Sequence, residues 1–212
     1  MKRIKPLMDV EYERLSWDKI FKGFDLIRIK TESDGSCFFH AIAKAYFKPY
    51  ITGKITNKDF NRKDFVHNLR KDLSKTLGSK INPDNPNSRT YYQTLSKGEL
   101  EKISEEIPEY SLENMQKELD SNSPISNVYN EFISNQLNID IYILDAIKRD
   151  IYMTGTDDNL LYKNRKSVVI LYMPGHYELV GLLHPKDYIE TYFSPNSSFI
   201  RRIRERMDQL RS

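Results

Sequence analysis

The stretch Asp34-Gly35-Ser36-Cys37-Phe38-Phe39-His40-Ala41-Ile42-Ala43 decides how this chain is read. Thr31 to Ser36 form a polar turn. From Cys37 to Phe47, helix-forming residues with an apolar face predict a buried helix that starts at the cysteine. Unpaired backbone N–H groups at a helix start favour negative charge, so they would lower the pKa of Cys37 and receive the oxyanion of a tetrahedral intermediate. Gly35 would let the backbone approach a substrate closely. Asp34 would cap the helix or hold the turn so that its N–H groups face a reacting carbonyl. A plainer reading competes, in which Cys37 is a buried small hydrophobe and Asp34 only a cap.

A nucleophilic thiol needs a base, and the chain has four histidines. His40 lies one turn along the same helix and is expected to pack there rather than reach the thiol. His67 falls among charged residues of a helix and reads as surface. His184 precedes Pro185 and reads as a loop residue. His176 follows Pro174-Gly175 and opens the apolar run HYELVGLL (176–183), at an edge where a ring can face a cleft. Glu178 shares its strand face by alternation, and a carboxylate there can fix the tautomer and orientation of the imidazole. A hairpin-turn histidine without a chemical role is the alternative.

Farther out, residues 9–22 carry apolar positions at roughly helical spacing, and DLIRIK (25–30) alternates like a short strand. Residues 62–77 read as an amphipathic helix closed by Gly78, residues 79–90 as a loop, and 96–106, 111–120 and 128–138 as helices. IDIYILD (139–145), RDIYMTG (149–155), SVVILYM (167–173) and 176–183 read as strands, the last two joined by Pro174-Gly175, and a helix closes the chain at about 197–210. Helices early and antiparallel strands late predict an α+β (mixed α/β) domain, with a central, mostly antiparallel sheet packed by helices. The expected division is an N-terminal helical extension (1–22), a catalytic domain (23–192) and a C-terminal basic helix (193–212).

The bulk numbers set limits. With 33 basic and 30 acidic residues the net charge is +3 in 212 residues, too balanced to predict a nucleic-acid partner. The basic cluster Arg201, Arg202, Arg204 and Arg206 is interrupted by Glu205 and reads as a solvated helix face. A single cysteine excludes an intramolecular disulfide or a cysteine-rich zinc site and suits a reducing compartment, so a cytoplasmic location is expected. No apolar run is long enough for a membrane span, and the start of the chain lacks the apolar stretch of a signal peptide. A monomer is expected. Abundant Lys, Ile, Asn and Tyr suit an AT-rich genome, such as that of a large DNA virus or an intracellular pathogen.

Three segments together resemble the ovarian tumour (OTU) family of cysteine proteases, a distant relative of papain. DGSCFFHAIA (34–43) is similar to the family's nucleophile motif. MPGHYELVG (173–181) is similar to its histidine motif, and EFISNQLNIDIYIL (131–144) to its helix-to-strand segment. The resemblance spans about residues 25–183. It implies a papain-like OTU fold, a deubiquitinase activity on ubiquitin or polyubiquitin chains, and no metal or organic cofactor. Cys37 would be the nucleophile and His176 the base. Glu178 would orient the ring, at a position where the family usually has Asp or Asn. Asp34 would support the oxyanion hole through its turn, with Gly35 and Ser36 beside the substrate. Tyr177 would line the channel that admits a Gly-Gly tail. A Trp-Gly pair found in many relatives is replaced here by Asn122-Ser123-Pro124-Ile125, which bears on chain preference more than on catalysis. An inactive ubiquitin-binding module or a different Cys-His peptidase or acyltransferase remain the alternatives.

Overall fold

A computed structural model of the chain describes residues 10–56 and 58–212. In chain order the elements are β1 (Tyr12–Arg14), α1 (Asp18–Phe21), β2 (Leu26–Ile29), α2 (Cys37–Tyr46), α3 (Lys48–Thr52) and the hairpin β3 (Lys54–Ile55) and β4 (Lys58–Asp59). Then come α4 (Arg62–Leu77), α5 (Tyr91–Thr94), α6 (Glu99–Ile103), α7 (Leu112–Leu119), α8 (Asn130–Leu137), β5 (Asp140–Asp145) and β6 (Asp150–Ile151). The chain ends with α9 (Asp158–Leu161), β7 (Ser167–Met173), β8 (His176–His184), β9 (Tyr188–Glu190) and α10 (Ser198–Arg211).

The main sheet runs β1-β2-β8-β7-β5-β6, with β9 also on β8. Its pairs are antiparallel except β5 with β7, which run parallel with Ile141 opposite Val168 and Ile143 opposite Ile170. The sheet is therefore the mostly antiparallel α+β arrangement expected. The late strands are not all antiparallel to one another, because residues 146–166 carry the chain back across the sheet before β7 begins.

The continuous apolar run of β7 has a simple cause: both of its faces are covered. Ile141, Ile143, Val168, Ile170 and Leu179 face a core shared with Phe38, Phe39, Ile42, Val66, Leu73 and Phe132. Their alternating neighbours Tyr142, Leu144, Val169, Leu171 and Val180 face a second core with Trp17, Phe21, Phe199, Ile200, Ile203 and Met207. At ~25 cal/mol per Å² of apolar area, each such fully buried side chain contributes roughly 1.5–3 kcal/mol. Residues on either side of the expected domain boundaries at 22 and 193 thus share one core.

Local expectations change at several places: the strand read at 149–155 is confined to Asp150–Ile151, and the helix read at 96–106 to Glu99–Ile103, because Ser96 and Lys97 have positive φ. Residues 12–14 form a strand instead of a helical turn, paired with β2 through Tyr12–Ile29 and Arg14–Ile27; Glu13 pairs with Arg28 across the strands, the kind of cross-strand contact that outweighs a weak helical pattern. Residues 1–9 of the expected N-terminal extension lie outside the described residues. The arginines of α10 are not a free solvated face. Arg202 Nε donates to the Ile20 carbonyl at 2.7 Å, Arg204 Nε to the Tyr142 hydroxyl at 2.8 Å, and Arg206 grips Asp150 at 3.0 and 2.6 Å. Among the described residues, no helix is long and apolar enough to cross a membrane, and no group of three or more His, Cys, Asp or Glu is arranged to hold a metal ion.

Candidate active site

Cys37 is the first residue of α2, and Ser36 is its N-cap position. No side chain caps this helix, so its first N–H groups stay unclaimed by a local acceptor. Asp34 does not cap it either: Oδ1 accepts from the Ser36 N–H at 3.1 Å, which closes the turn ahead of the helix. Gly35 has φ +75, and a Cβ there would lie 2.0 Å from the Asn122 carbonyl oxygen. The close approach that demands glycine is thus to the chain's own 122–125 segment.

A hairpin places the histidine in the same cleft as the thiol. Met173 pairs with His176 and Tyr172 with Tyr177 across β7 and β8, and the Tyr177 N–H donates to Cys37 Sγ at 3.3 Å. Gly35, Cys37, Phe38, Pro124, Ile125, Tyr172, Gly175, His176 and Tyr177 line one cleft of about 190 Å³. Tyr177 packs edge-on against Phe38, with ring centroids 5.5 Å apart, and forms the apolar wall next to the thiol.

Glu178 is 5% exposed. Its Oε1 lies 3.8 Å from His176 Nε2, an ion-pair distance too long for a hydrogen bond. Its Oε2 lies 3.4 Å from Arg28 Nη1, a charge contact, and is buried without a hydrogen bond. Asp34 pairs elsewhere: its Oδ2 is 3.1 Å from His40 Nε2. Glu178, not Asp34, stands beside the His176 ring.

Two residues passed over in the sequence hold the nucleophile turn. His40 is fully buried and is linked to Asp34 and to the Tyr50 hydroxyl, the latter at 2.6 Å. Arg70, 1% exposed, donates to Ser36 Oγ at 2.8 Å and to the carbonyls of Leu119, Glu118 and Ser123 at 2.9, 2.8 and 2.8 Å. It also lies over the Phe39 ring, 5.0 Å from the centroid. Ser36 is buried beneath the turn, with its hydroxyl engaged by Arg70 and its N–H by Asp34. Arg70 had a signal in the sequence: it falls on the buried stripe Val66, Arg70, Leu73, Leu77 of α4. The other two histidines are peripheral. His67 is exposed, and His184 ends β8 in contact with Glu190 at 2.8 Å.

The thiol departs from expectation. Burial pushes the Cys37 pKa up, and the N–H groups of Tyr177, Phe38 and Cys37 offset this only in part, with the Asp34 carboxylate adding to the rise. The helix start does favour the thiolate, but at 3% exposure desolvation wins. Burial in the cleft thus disfavours the thiolate. The midpoint of a pH titration of iodoacetamide alkylation is expected above the free-thiol value of ~8.5; a midpoint near 6 would mean that an imidazolium already holds the thiolate.

No protein-family model matches the chain, and no curated protein matches it. Among solved structures, it is similar to an ovarian tumour (OTU) domain in complex with ubiquitin, with a TM-score of 0.55 and 18% identity over 99% of this chain and 95% of that chain. Weaker likenesses are to the OTU domain of OTUD1 (TM-score 0.43, 14% identity, 74% and 85% covered) and to an OTU deubiquitinase from Wolbachia pipientis wMel (TM-score 0.40, 12% identity, 85% and 95% covered). The fold of this chain is OTU-like.

Proposed function

We propose that the chain is a cysteine-type deubiquitinase that hydrolyses isopeptide bonds at the C-terminal glycine of ubiquitin. The observation that carries this reading is that Cys37, at an uncapped helix start, and His176, at a hairpin, line one cleft. The ubiquitin bound to the similar OTU domain supplies the substrate class. In the reaction, Cys37 Sγ gives its proton to His176 and forms a bond to the glycine carbonyl carbon. The oxyanion is stabilised by N–H groups at the start of α2. Collapse of the tetrahedral intermediate breaks the C–N bond, and His176 returns the proton to the leaving lysine amine. Water then hydrolyses the thioester, again with His176 as base. Phe38 and Tyr177 leave room beside the thiol for a tail without side chains, such as Gly-Gly. No metal or organic cofactor enters this scheme.

A ubiquitin probe with a C-terminal electrophile tests the reading. Covalent labelling at Cys37 is expected. Ubiquitin binding without labelling would make the chain a binding module, and cleavage of general peptides without ubiquitin labelling would make it a different Cys-His peptidase.

The role of Glu178 is tested separately. Glu178→Gln keeps the shape but removes the charge 3.8 Å from the His176 ring, so the imidazolium formed during attack loses its counter-charge. A ten- to hundredfold fall in kcat/KM is expected, about 1.4–2.7 kcal/mol of barrier. A wild-type rate for Glu178→Gln beside a crippled Asp34→Asn would reduce the unit to a Cys37–His176 dyad supported by the Asp34 turn.

A further inference from the structure

The hydrogen-bond donors around His40 can be counted. The Tyr50 hydroxyl carries one hydrogen, and it donates to Glu32 Oε2 at 2.9 Å. His40 Nδ1 is 2.6 Å from the same hydroxyl oxygen, so the contact closes only with a hydrogen on Nδ1. His40 Nε2 is 3.1 Å from Asp34 Oδ2, and Asp34 Oδ1 already accepts from the Ser36 N–H. A carboxylate accepting on both oxygens requires a hydrogen on Nε2 as well. With both carboxylates ionised, the count calls for a hydrogen on each ring nitrogen.

We propose that His40 is a fully buried imidazolium whose charge holds the Asp34 carboxylate in place behind the nucleophile, which makes it a positioning residue for Cys37. The inference rests on Cys37 being the reacting group.

The surroundings suit a cation. His40 is 0% exposed, and an isolated buried charge is costly unless paired and hydrogen-bonded. Here Asp34 stands on one side, and Glu32 Oε2 lies 3.6 Å from Nδ1 on the other. The other charged groups are Lys44, 3.9 Å from Glu32, Arg62, which lies over the Tyr50 ring and donates to the Tyr50 carbonyl at 2.7 Å, and the buried Arg70, which donates to Ser36 Oγ and acts on the Asp34 carboxylate. Two carboxylates thus face His40 and Lys44. The competing arrangement moves the ring proton through Tyr50 onto Glu32. Burial would favour that by raising Glu32, but Lys44, 3.9 Å away, and the backbone N–H of Glu32 itself oppose it, and Glu32 lies below the usual carboxylate range.

The charge has a consequence at the thiol. The Asp34 carboxylate disfavours the Cys37 thiolate. An imidazolium bound to Asp34 cancels most of that field, while His40 itself sits one turn of α2 from the thiol. Removing the charge leaves Asp34 unopposed and frees the turn that Asp34 closes.

Two measurements decide, and neither needs substrate. In wild-type protein with ¹⁵N-labelled histidine, both His40 ring nitrogens are expected to remain protonated at pH 7.5, with the signal assigned by its loss in His40→Gln. A single protonated nitrogen at that pH would overturn the proposal, and this holds even if His40→Gln does not fold. In folded His40→Gln, which keeps a donor for Asp34 but no charge, the rate of Cys37 alkylation at pH 8 is expected to fall about threefold or more, half a pKa unit or greater. The uncharged Tyr50→Phe, which removes the oxygen that Nδ1 meets, should shift it in the same direction but less. An unchanged alkylation profile in His40→Gln would make His40 a packing residue. A protonated His40 in a protein that no ubiquitin electrophile labels would overturn the proposed function and leave the charge assignment standing.

Discussion

Cys37→Ala is expected to reduce ubiquitin-substrate cleavage to background, a loss of roughly ten-thousandfold or more, or about 5.5 kcal/mol of barrier. The chain has one cysteine, so no second thiol can stand in, and a water molecule in the vacated space is a far weaker nucleophile. The fold should survive. Replacing a 3% exposed thiol by a methyl group removes one atom from the cleft wall and costs about 1 kcal/mol, near the centre of the distribution for point substitutions. His176→Ala is expected to fall nearly as far, because burial disfavours the free thiolate and attack requires a group to take the thiol proton. Members of one catalytic unit are not additive, so the double variant should be no slower than either single one. Substantial cleavage by folded Cys37→Ala would end the thiol mechanism, whatever the fold.

Much of the fold was legible because its elements carry strong local patterns. The helix at 62–77 and the strand at 167–173 have the predicted bounds, since an apolar stripe and an apolar run each outweigh their neighbours. The element starts at Cys37 and His176 were legible because each is marked by a turn. What the sequence hid depends on partners distant in the chain. Arg70 falls on the buried stripe of α4, but the carbonyls it holds cannot be read until residues 118–123 fold over it. His40 interrupts an otherwise apolar run, which is the signal that it is buried, but its link to Asp34 and Tyr50 exists only after α3 turns back. The thiol was misjudged for a related reason. The helix start is local and readable, whereas the desolvation that overrides it comes from β8 and residues 122–125 closing around the cleft. Residues 12–14 went from helix to strand because the β2 edge offered a partner that no local propensity announces.

Gly35→Ala is expected to damage both stability and rate, and the reason is again a contact distant in sequence. At φ +75 an alanine costs about 1–2 kcal/mol in backbone strain. The new Cβ would also stand 2.0 Å from the Asn122 carbonyl oxygen and 3.1 Å from its carbon. These are backbone atoms, so no rotamer change relieves the overlap, and the two segments must part by about 1 Å to reach ordinary contact. They are not free to do so. Arg70 holds Ser36 Oγ and the Gly35 carbonyl on one side, and the carbonyls of Glu118, Leu119 and Ser123 on the other. Separation stretches these bonds, and each buried polar group left unsatisfied costs about 1–3 kcal/mol. A total of about 3 kcal/mol corresponds to a Tm lowered by roughly 6–12 °C in a chain of this size. Displacing the turn by about 1 Å also misplaces the thiol and its N–H groups, for which a hundredfold loss in kcat/KM is a reasonable scale. Gly23→Ala separates the contributions. Gly23 has φ +86, but a methyl group there would meet nothing within 4 Å, so it should show the strain alone, with a small fall in Tm and an unchanged rate. Wild-type stability and rate in Gly35→Ala would mean that the 122–125 segment does not rest on the nucleophile turn, and a lowered Tm with an unchanged rate per folded molecule would separate the packing of that turn from the chemistry at Cys37.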